Sequence, residues 1–200
     1  QNKYILVQDT AWDSYHKIPR LIMDGYLLIM YELINQKSKD NITHFILQVG
    51  VGTFASSIVE FVREQFNDSV IIICIEPINC SCLYNSIKNG ISVQFKCSGT
   101  ISAGLDCGLV STLAWDILQH QINFVVTVND EIVKDGIKLM NNHSIQSGES
   151  ASAVATGFIM NLTQSQKNIL KIDDKSHIVV FNTEGITDPV NNDIILKNYN

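Results

Sequence analysis

The residues of this chain that could do chemistry gather in three short turns. In Gln48-Val49-Gly50-Val51-Gly52-Thr53, two glycines alternate with valine between an apolar run and an apolar-periodic segment, which is the pattern of strand, tight turn and helix. Glycine lets backbone approach a ligand closely, and the first amides of a helix with the positive end of its dipole favour an anion such as phosphate. The same glycines could serve packing alone, and at this level both readings stand. Gln8-Asp9-Thr10 offers one carboxylate behind an apolar stretch, as acid–base group or ligand, or simply as a helix cap or Asx turn. Asn182-Thr183-Glu184-Gly185 is a further polar turn directly after an apolar run, at the edge where open α/β sheets collect ligands.

These turns need strands and helices to hold them. The pattern predicts strands over residues 4–7, 43–49, 70–75, 123–128 and 177–181, with a short one over 92–95. The run Val70-Ile71-Ile72-Ile73-Cys74-Ile75 has no polar break, as expected of a central parallel strand covered on both faces. Helices are predicted from Pro19 to Ile34 and over residues 57–65, 80–88, 111–119 and 130–140, with Asn89-Gly90 closing the third. Ala151-Ser152-Ala153-Val154-Ala155-Thr156-Gly157 lacks bulk, so its helix should pack tightly on a neighbour. Residues 99–108, rich in Gly, Ser and Thr, read as a loop lining something. The alternation gives an α/β fold, a mostly parallel twisted sheet with helices on both faces.

Composition narrows the function classes. With 200 residues, 46% hydrophobic and 17% charged, the chain can bury a real core. A net charge of -6 disfavours nucleic acid or an anionic membrane as partner. No apolar run reaches membrane-spanning length and no signal peptide opens the sequence, so a cytoplasmic protein is expected. The five cysteines lack paired C-x-x-C spacing, which predicts buried free thiols and no metal site. His16, His44, His120, His143 and His177 show no ligand spacing and are expected at the surface or in structural hydrogen bonds.

Taken together, the motifs carry a resemblance. Val7-Gln8-Asp9-Thr10-Ala11-Trp12 with Tyr15 and Ile18-Pro19, the glycine turn, Glu76-Pro77 with Cys82-Leu83-Tyr84, Ala103-Gly104-Leu105-Asp106-Cys107-Gly108, Ser147-Gly148-Glu149-Ser150 and Thr183-Glu184-Gly185-Ile186-Thr187-Asp188 resemble, in order and spacing, the diaminopropionate ammonia-lyases. That family belongs to the pyridoxal-phosphate proteins of fold type II, typified by the tryptophan-synthase β-subunit. The resemblance implies pyridoxal 5'-phosphate as cofactor, and an amino acid substrate, 2,3-diaminopropionate, that is broken down to pyruvate and ammonia. It also implies a homodimer. It places Gly50, Val51, Gly52 and the adjoining Thr53 at the cofactor phosphate, and Thr183 with Asn182 opposite the pyridine nitrogen. Asp9 takes the place of a family aspartate that removes the α-proton or holds the ammonium groups. Cys82 and Cys107, 25 positions apart, match a family pair that can form a disulfide.

Departures are equally specific. Thr53-Phe54-Ala55-Ser56-Ser57 replaces small residues and further glycine, and would crowd the phosphate cup. Asn182 stands where serine is usual. The family's Schiff-base lysine lies upstream of the Asp9 motif, and neither Lys3, Lys88, Lys134 nor Lys138 has a matching context. Residues 1–200 are therefore expected to be the carboxyl-terminal part of the lyase, the large cofactor-binding domain, or a degenerate copy, inactive alone. Two alternatives stay open. A methyltransferase-like domain for S-adenosylmethionine would use the glycine turn with Glu76 on ribose hydroxyls. A non-catalytic pseudoenzyme subunit would keep only the fold.

Overall fold

A computed structural model describes residues 4–36 and 41–197. Four strands, β1 (His44–Gln48), β2 (Ile71–Pro77), β3 (Phe124–Val128) and β4 (Ile178–Val180), lie in the order β3-β2-β1-β4. Every pairing is parallel, with His44 of β1 opposite both Ile71 and Ile178. The chain moves outward in one direction from β1 through β2 to β3, then returns to the other side of β1 for β4. That reversal opens a crevice between the carboxyl ends of β1 and β4, where ligands of open parallel sheets bind.

The central strands feed two cores. Phe45, Leu47, Ile72 and Cys74 face one side of the sheet, packed by α1 (Lys17–Gln36), α2 (Thr53–Phe66), α3 (Cys82–Asn89) and α4 (Thr112–Gln121). Ile46, Ile73 and Ile75 face the other, packed by α5 (Asp130–Asn142), α6 (Ser152–Met160), α7 (Gln164–Leu170) and α8 (Pro189–Lys197). Burial on both faces explains why these strands read as unbroken apolar runs. The small residues of α6 act as expected: a Cβ on Gly136 would strike the Ala153 carbonyl, and one on Gly157 the Ile132 carbonyl, so α5 and α6 cross almost backbone to backbone. Gly90 closes α3 at φ 70°, the left-handed cap that Asn89-Gly90 suggested.

Two expected strands are absent. Residues 4–7 form no strand, with Tyr4 88% and Ile5 82% exposed; the Leu6 carbonyl instead accepts from the Tyr15 hydroxyl (2.9 Å). Residues 92–95 are irregular, tied down instead by Val93 N–H to Ser86 Oγ (3.0 Å) and Phe95 N–H to the Gly108 carbonyl (2.7 Å). Two helices went unread in the sequence. Helix α7 is short and polar but starts with a capping box between Thr163 and Gln166, and α8 starts at Pro189, both recognisable start signals. Helix α1 is described as far as Gln36, and the rest of the polar run expected to end it, residues 37–40, lies outside the described residues, as does Lys3. His44 is 2% exposed, its Nε2 paired with the Leu170 carbonyl (3.0 Å), and burial lowers its pKa. No helix among the described residues is long and apolar enough to cross a membrane.

Candidate functional site

A cavity of about 590 Å³ opens at the crevice. Its wall includes Asp9, Gly50, Val51, Gly52, Thr53 and Thr183, brought from three turns that are far apart in sequence. Gly52 adopts φ 91°, and a Cβ there would lie 3.0 Å from Ala114 Cβ, so both backbone conformation and packing demand glycine. Gly50 passes beneath the 103–108 loop, where a Cβ would come 2.8 Å from the Gly104 carbonyl. No side chain caps α2, which leaves its first-turn amides and dipole directed at the cavity. The Val51 N–H points at the Cys107 sulfur.

Of the residues after Gly52, Thr53, Phe54 and Ala55 line the cavity. Thr53 Oγ1 donates to the Asp9 carbonyl (2.9 Å), and Ser56 and Ser57 turn back to the Thr53 carbonyl at 3.0 and 2.8 Å. Phe54 lies edge-on to Tyr26 and Phe181, at ring distances of 5.4 and 5.6 Å. The Thr53 hydroxyl thus anchors the Asp9 segment, and Ala11 N–H completes the anchor by donating to Ser111 Oγ (2.9 Å). Asp9 holds its place without the strand that was expected to deliver it.

The opposite wall is knitted from loops. Ser150 N–H donates to Glu184 Oε2 (2.9 Å), Gly104 N–H to Ser150 Oγ (2.9 Å), and Gly148 N–H to the Glu184 carbonyl (2.9 Å). Gln48 closes the floor: its Nε2 donates to Thr183 Oγ1 (3.0 Å) and to the Phe181 carbonyl (3.1 Å), while its buried Oε1 has no partner among the described residues.

The sequence profile of the pyridoxal-phosphate dependent enzymes matches residues 1–184. The chain belongs to that family. It is 32% identical over 204 residues to the diaminopropionate ammonia-lyase of Salmonella typhimurium LT2, covering 93% of this chain and 50% of that one. Against its counterpart in Escherichia coli K12 it is 32% identical over 202 residues, covering 94% and 50%. The chain therefore spans half the length of each. The crystal structure of the Escherichia coli lyase with an aminoacrylate-PLP azomethine reaction intermediate superposes with a TM-score of 0.87 at 30% identity, covering 95% of this chain and 51% of that one. A tomato threonine deaminase, 17% identical, shares the fold at a TM-score of 0.73.

Within this family's architecture several expectations change. Asn182 is not among the cavity's lining residues: its Nδ2 donates to the Gln146 carbonyl (2.7 Å) and its Oδ1 accepts from Ser152 Oγ (3.1 Å). Cys82 and Cys107 are both free thiols here. Burial pushes the Cys107 thiol up to about 11, with the Asp9 charge adding to the shift. Glu76, which a methyltransferase reading would place on a ribose, is fully buried and accepts the Leu83 and Tyr84 amides at 2.8 Å each at the start of α3. Burial raises its pKa to about 7. It cannot reach a nucleoside, and that reading loses its acid.

Tyr26, Gln48, Ser150 and Glu184 are among the wall residues that sequence reasoning does not pick out as site residues. Tyr26 looked like one more apolar position of α1, and Gln48 like the end of a strand; only the fold turns both toward the crevice. Among the described residues, no lysine lines the cavity.

Proposed function

We propose that this chain forms the cofactor-binding half of a pyridoxal-phosphate-dependent ammonia-lyase that converts 2,3-diaminopropionate and water to pyruvate and two ammonia molecules. The observation that carries the reading is the convergence of Asp9, the Gly50–Gly52 turn and Thr183 on one cavity. Two features of the wall fit the cofactor. The uncapped N-terminus of α2 suits its phosphate, and the buried unpartnered Oε1 of Gln48 leaves an acceptor for a bound group.

Pyridoxal phosphate supplies an electron sink for the pair left behind when the substrate's α-proton departs. The chain's residues would position the cofactor and substrate. The Gly52 and first-turn α2 amides would hold the phosphate. Thr183, whose oxygen already accepts from Gln48, would offer its proton to the cofactor's ring nitrogen as a neutral hydroxyl partner. Asp9 faces the substrate, taking the α-proton at Cα or holding an ammonium group. Phe54 and Tyr26 shield one side from water. The covalent lysine is supplied, in this reading, by a part of the protein other than these 200 residues. A homodimer in the cytoplasm, serving amino acid breakdown, belongs to the same proposal and rests on family resemblance.

Titrating the full natural protein with pyridoxal phosphate and with S-adenosylmethionine, then assaying pyruvate release from 2,3-diaminopropionate, tests it. Saturable binding of the first compound alone, with pyruvate formed, is expected. Binding without pyruvate would favour a non-catalytic subunit, and binding of S-adenosylmethionine alone would overturn the reading.

A further inference from the structure

Outside the cavity, a turn and a distant loop bring three metal-ligating side chains together. Cys80 ends the short helical turn Ile78–Cys80 after β2, while Cys97 and Asp106 lie on the long loop between α3 and α4. One ligand atom from each, two Sγ and a carboxylate oxygen, all lie within 4.8 Å of one another. The Cys80 thiol donates to Asp106 Oδ1 at 2.6 Å, and the Gly99 N–H donates to the Cys80 sulfur. The loop is pinned in this position: Ser98 N–H donates to the Asn79 carbonyl (3.2 Å), and Asn79 Nδ2 to the Gly99 carbonyl (2.9 Å).

None of the three residues lines the cavity, and the reaction proposed above uses none of them. Two sulfurs beside a carboxylate, with Asp106 open to solvent, form a donor set that selects a thiophilic divalent ion over magnesium or calcium. We propose that Cys80, Cys97 and Asp106 bind one divalent cation of the zinc class, with solvent in the fourth position, clamping the 97–106 loop to the turn after β2. On binding, both S–H protons pass to solvent, two metal–sulfur bonds and one metal–oxygen bond form, and waters leave the ion. No electron changes hands, and a +2 ion with three anionic ligands leaves a net charge of −1. Tetrahedral ligands of zinc stand about 3.5 to 3.8 Å apart. Asp106 Oδ1 therefore moves roughly 1 Å away from the Cys80 sulfur as the metal replaces their hydrogen bond. The Gly99 amide stays as an outer partner that orients the thiolate. Leu105 and Cys107, which do line the cavity, flank Asp106, so the clamp would also steady that wall.

The test uses fully reduced, chelator-stripped protein titrated with Co²⁺ and then Zn²⁺. One Co²⁺ per chain is expected, with sulfur-to-cobalt charge-transfer and tetrahedral bands that Zn²⁺ erases, and with about two protons released per ion because both thiols must ionise. Cys97→Ser and Asp106→Asn should each weaken cobalt binding at least tenfold and raise no folding difficulty, since Cys97 is half-buried and Asp106 exposed. Cys107→Ser should leave the cobalt spectrum unchanged. Absent charge-transfer bands, unchanged affinity in Cys97→Ser, or a native Cys80–Cys97 disulfide found by mass spectrometry would each overturn the site. The readout does not involve the lyase reaction, so its failure leaves the proposed function standing.

Discussion

Gln48 and Thr183 meet across the gap between β1 and β4, Nε2 donating to Oγ1 at 3.0 Å. The same amide nitrogen donates to the Phe181 carbonyl at 3.1 Å, which fixes its orientation, because a flipped amide would set two carbonyl oxygens together. Thr183 therefore accepts from within the protein and has its own proton to give to the cavity. A strand-end glutamine thus sets the polarity of a hydroxyl on the neighbouring strand's turn.

Replacing Gln48 with Leu removes this control. The affinity for pyridoxal phosphate, measured by thermal shift or fluorescence titration, should fall about tenfold, the equivalent of one hydrogen bond of about 1.4 kcal/mol. Thr183→Ser should bind as the parent does, and Thr183→Val should match Gln48→Leu. Unchanged affinity in both Gln48→Leu and Thr183→Val would show that the hydroxyl faces no ligand.

Asp9→Asn should separate chemistry from binding. Loss of a positioned acid–base group lowers turnover by about 10²- to 10⁴-fold. Pyruvate release by the full protein should drop by that amount while affinity for pyridoxal phosphate stays within about threefold, well under the tenfold that one lost hydrogen bond represents. Retained turnover would move the acid–base role to another residue.

Glu76 predicts a pH dependence of stability. Its folded pKa of about 7 lies above the ordinary 4.5, so the folded state holds the proton more tightly than the unfolded one. The stability from this group is fully present below about pH 4.5 and is lost as pH rises through about 7. Urea unfolding should show the parent losing about 3 kcal/mol relative to Glu76→Gln between pH 4.5 and pH 8. Parallel pH profiles for the two proteins would contradict the assignment.

The crossing of α5 and α6 leaves no room for a methyl group. Gly136→Ala should destabilise by about 1–3 kcal/mol, read as a shift in the urea midpoint, because the intruding Cβ meets backbone that cannot swing aside. Gly25→Ala, in open space within α1, should be neutral or stabilising.

Much of this molecule is legible in its sequence, and the exceptions have physical causes. The unbroken run of β2, the glycine turn, Gly90 and the small-residue helix each follow from a local requirement that only certain residues meet. Residues 4–7 have strand composition, but a strand exists only with a neighbour, and composition cannot supply one. Asn182 sits beside Thr183 in sequence, yet its side chain is tied elsewhere, its amide donating to the Gln146 carbonyl and accepting from Ser152 Oγ. Tyr26 and Gln48 reach the cavity through the packing of α1 and the gap beside β1. Cys80, Cys97 and Asp106 have no motif spacing because the turn and loop that bring them together are joined only in the fold.

The central claim is most directly tested by a crystal structure of the protein with pyridoxal 5'-phosphate bound. The account predicts phosphate oxygens about 2.9 Å from the amides of Gly52 and the first turn of α2, and a ring nitrogen within hydrogen-bonding distance of Thr183 Oγ1. A phosphate seated away from that helix end, or a ring nitrogen turned from Thr183, would contradict it.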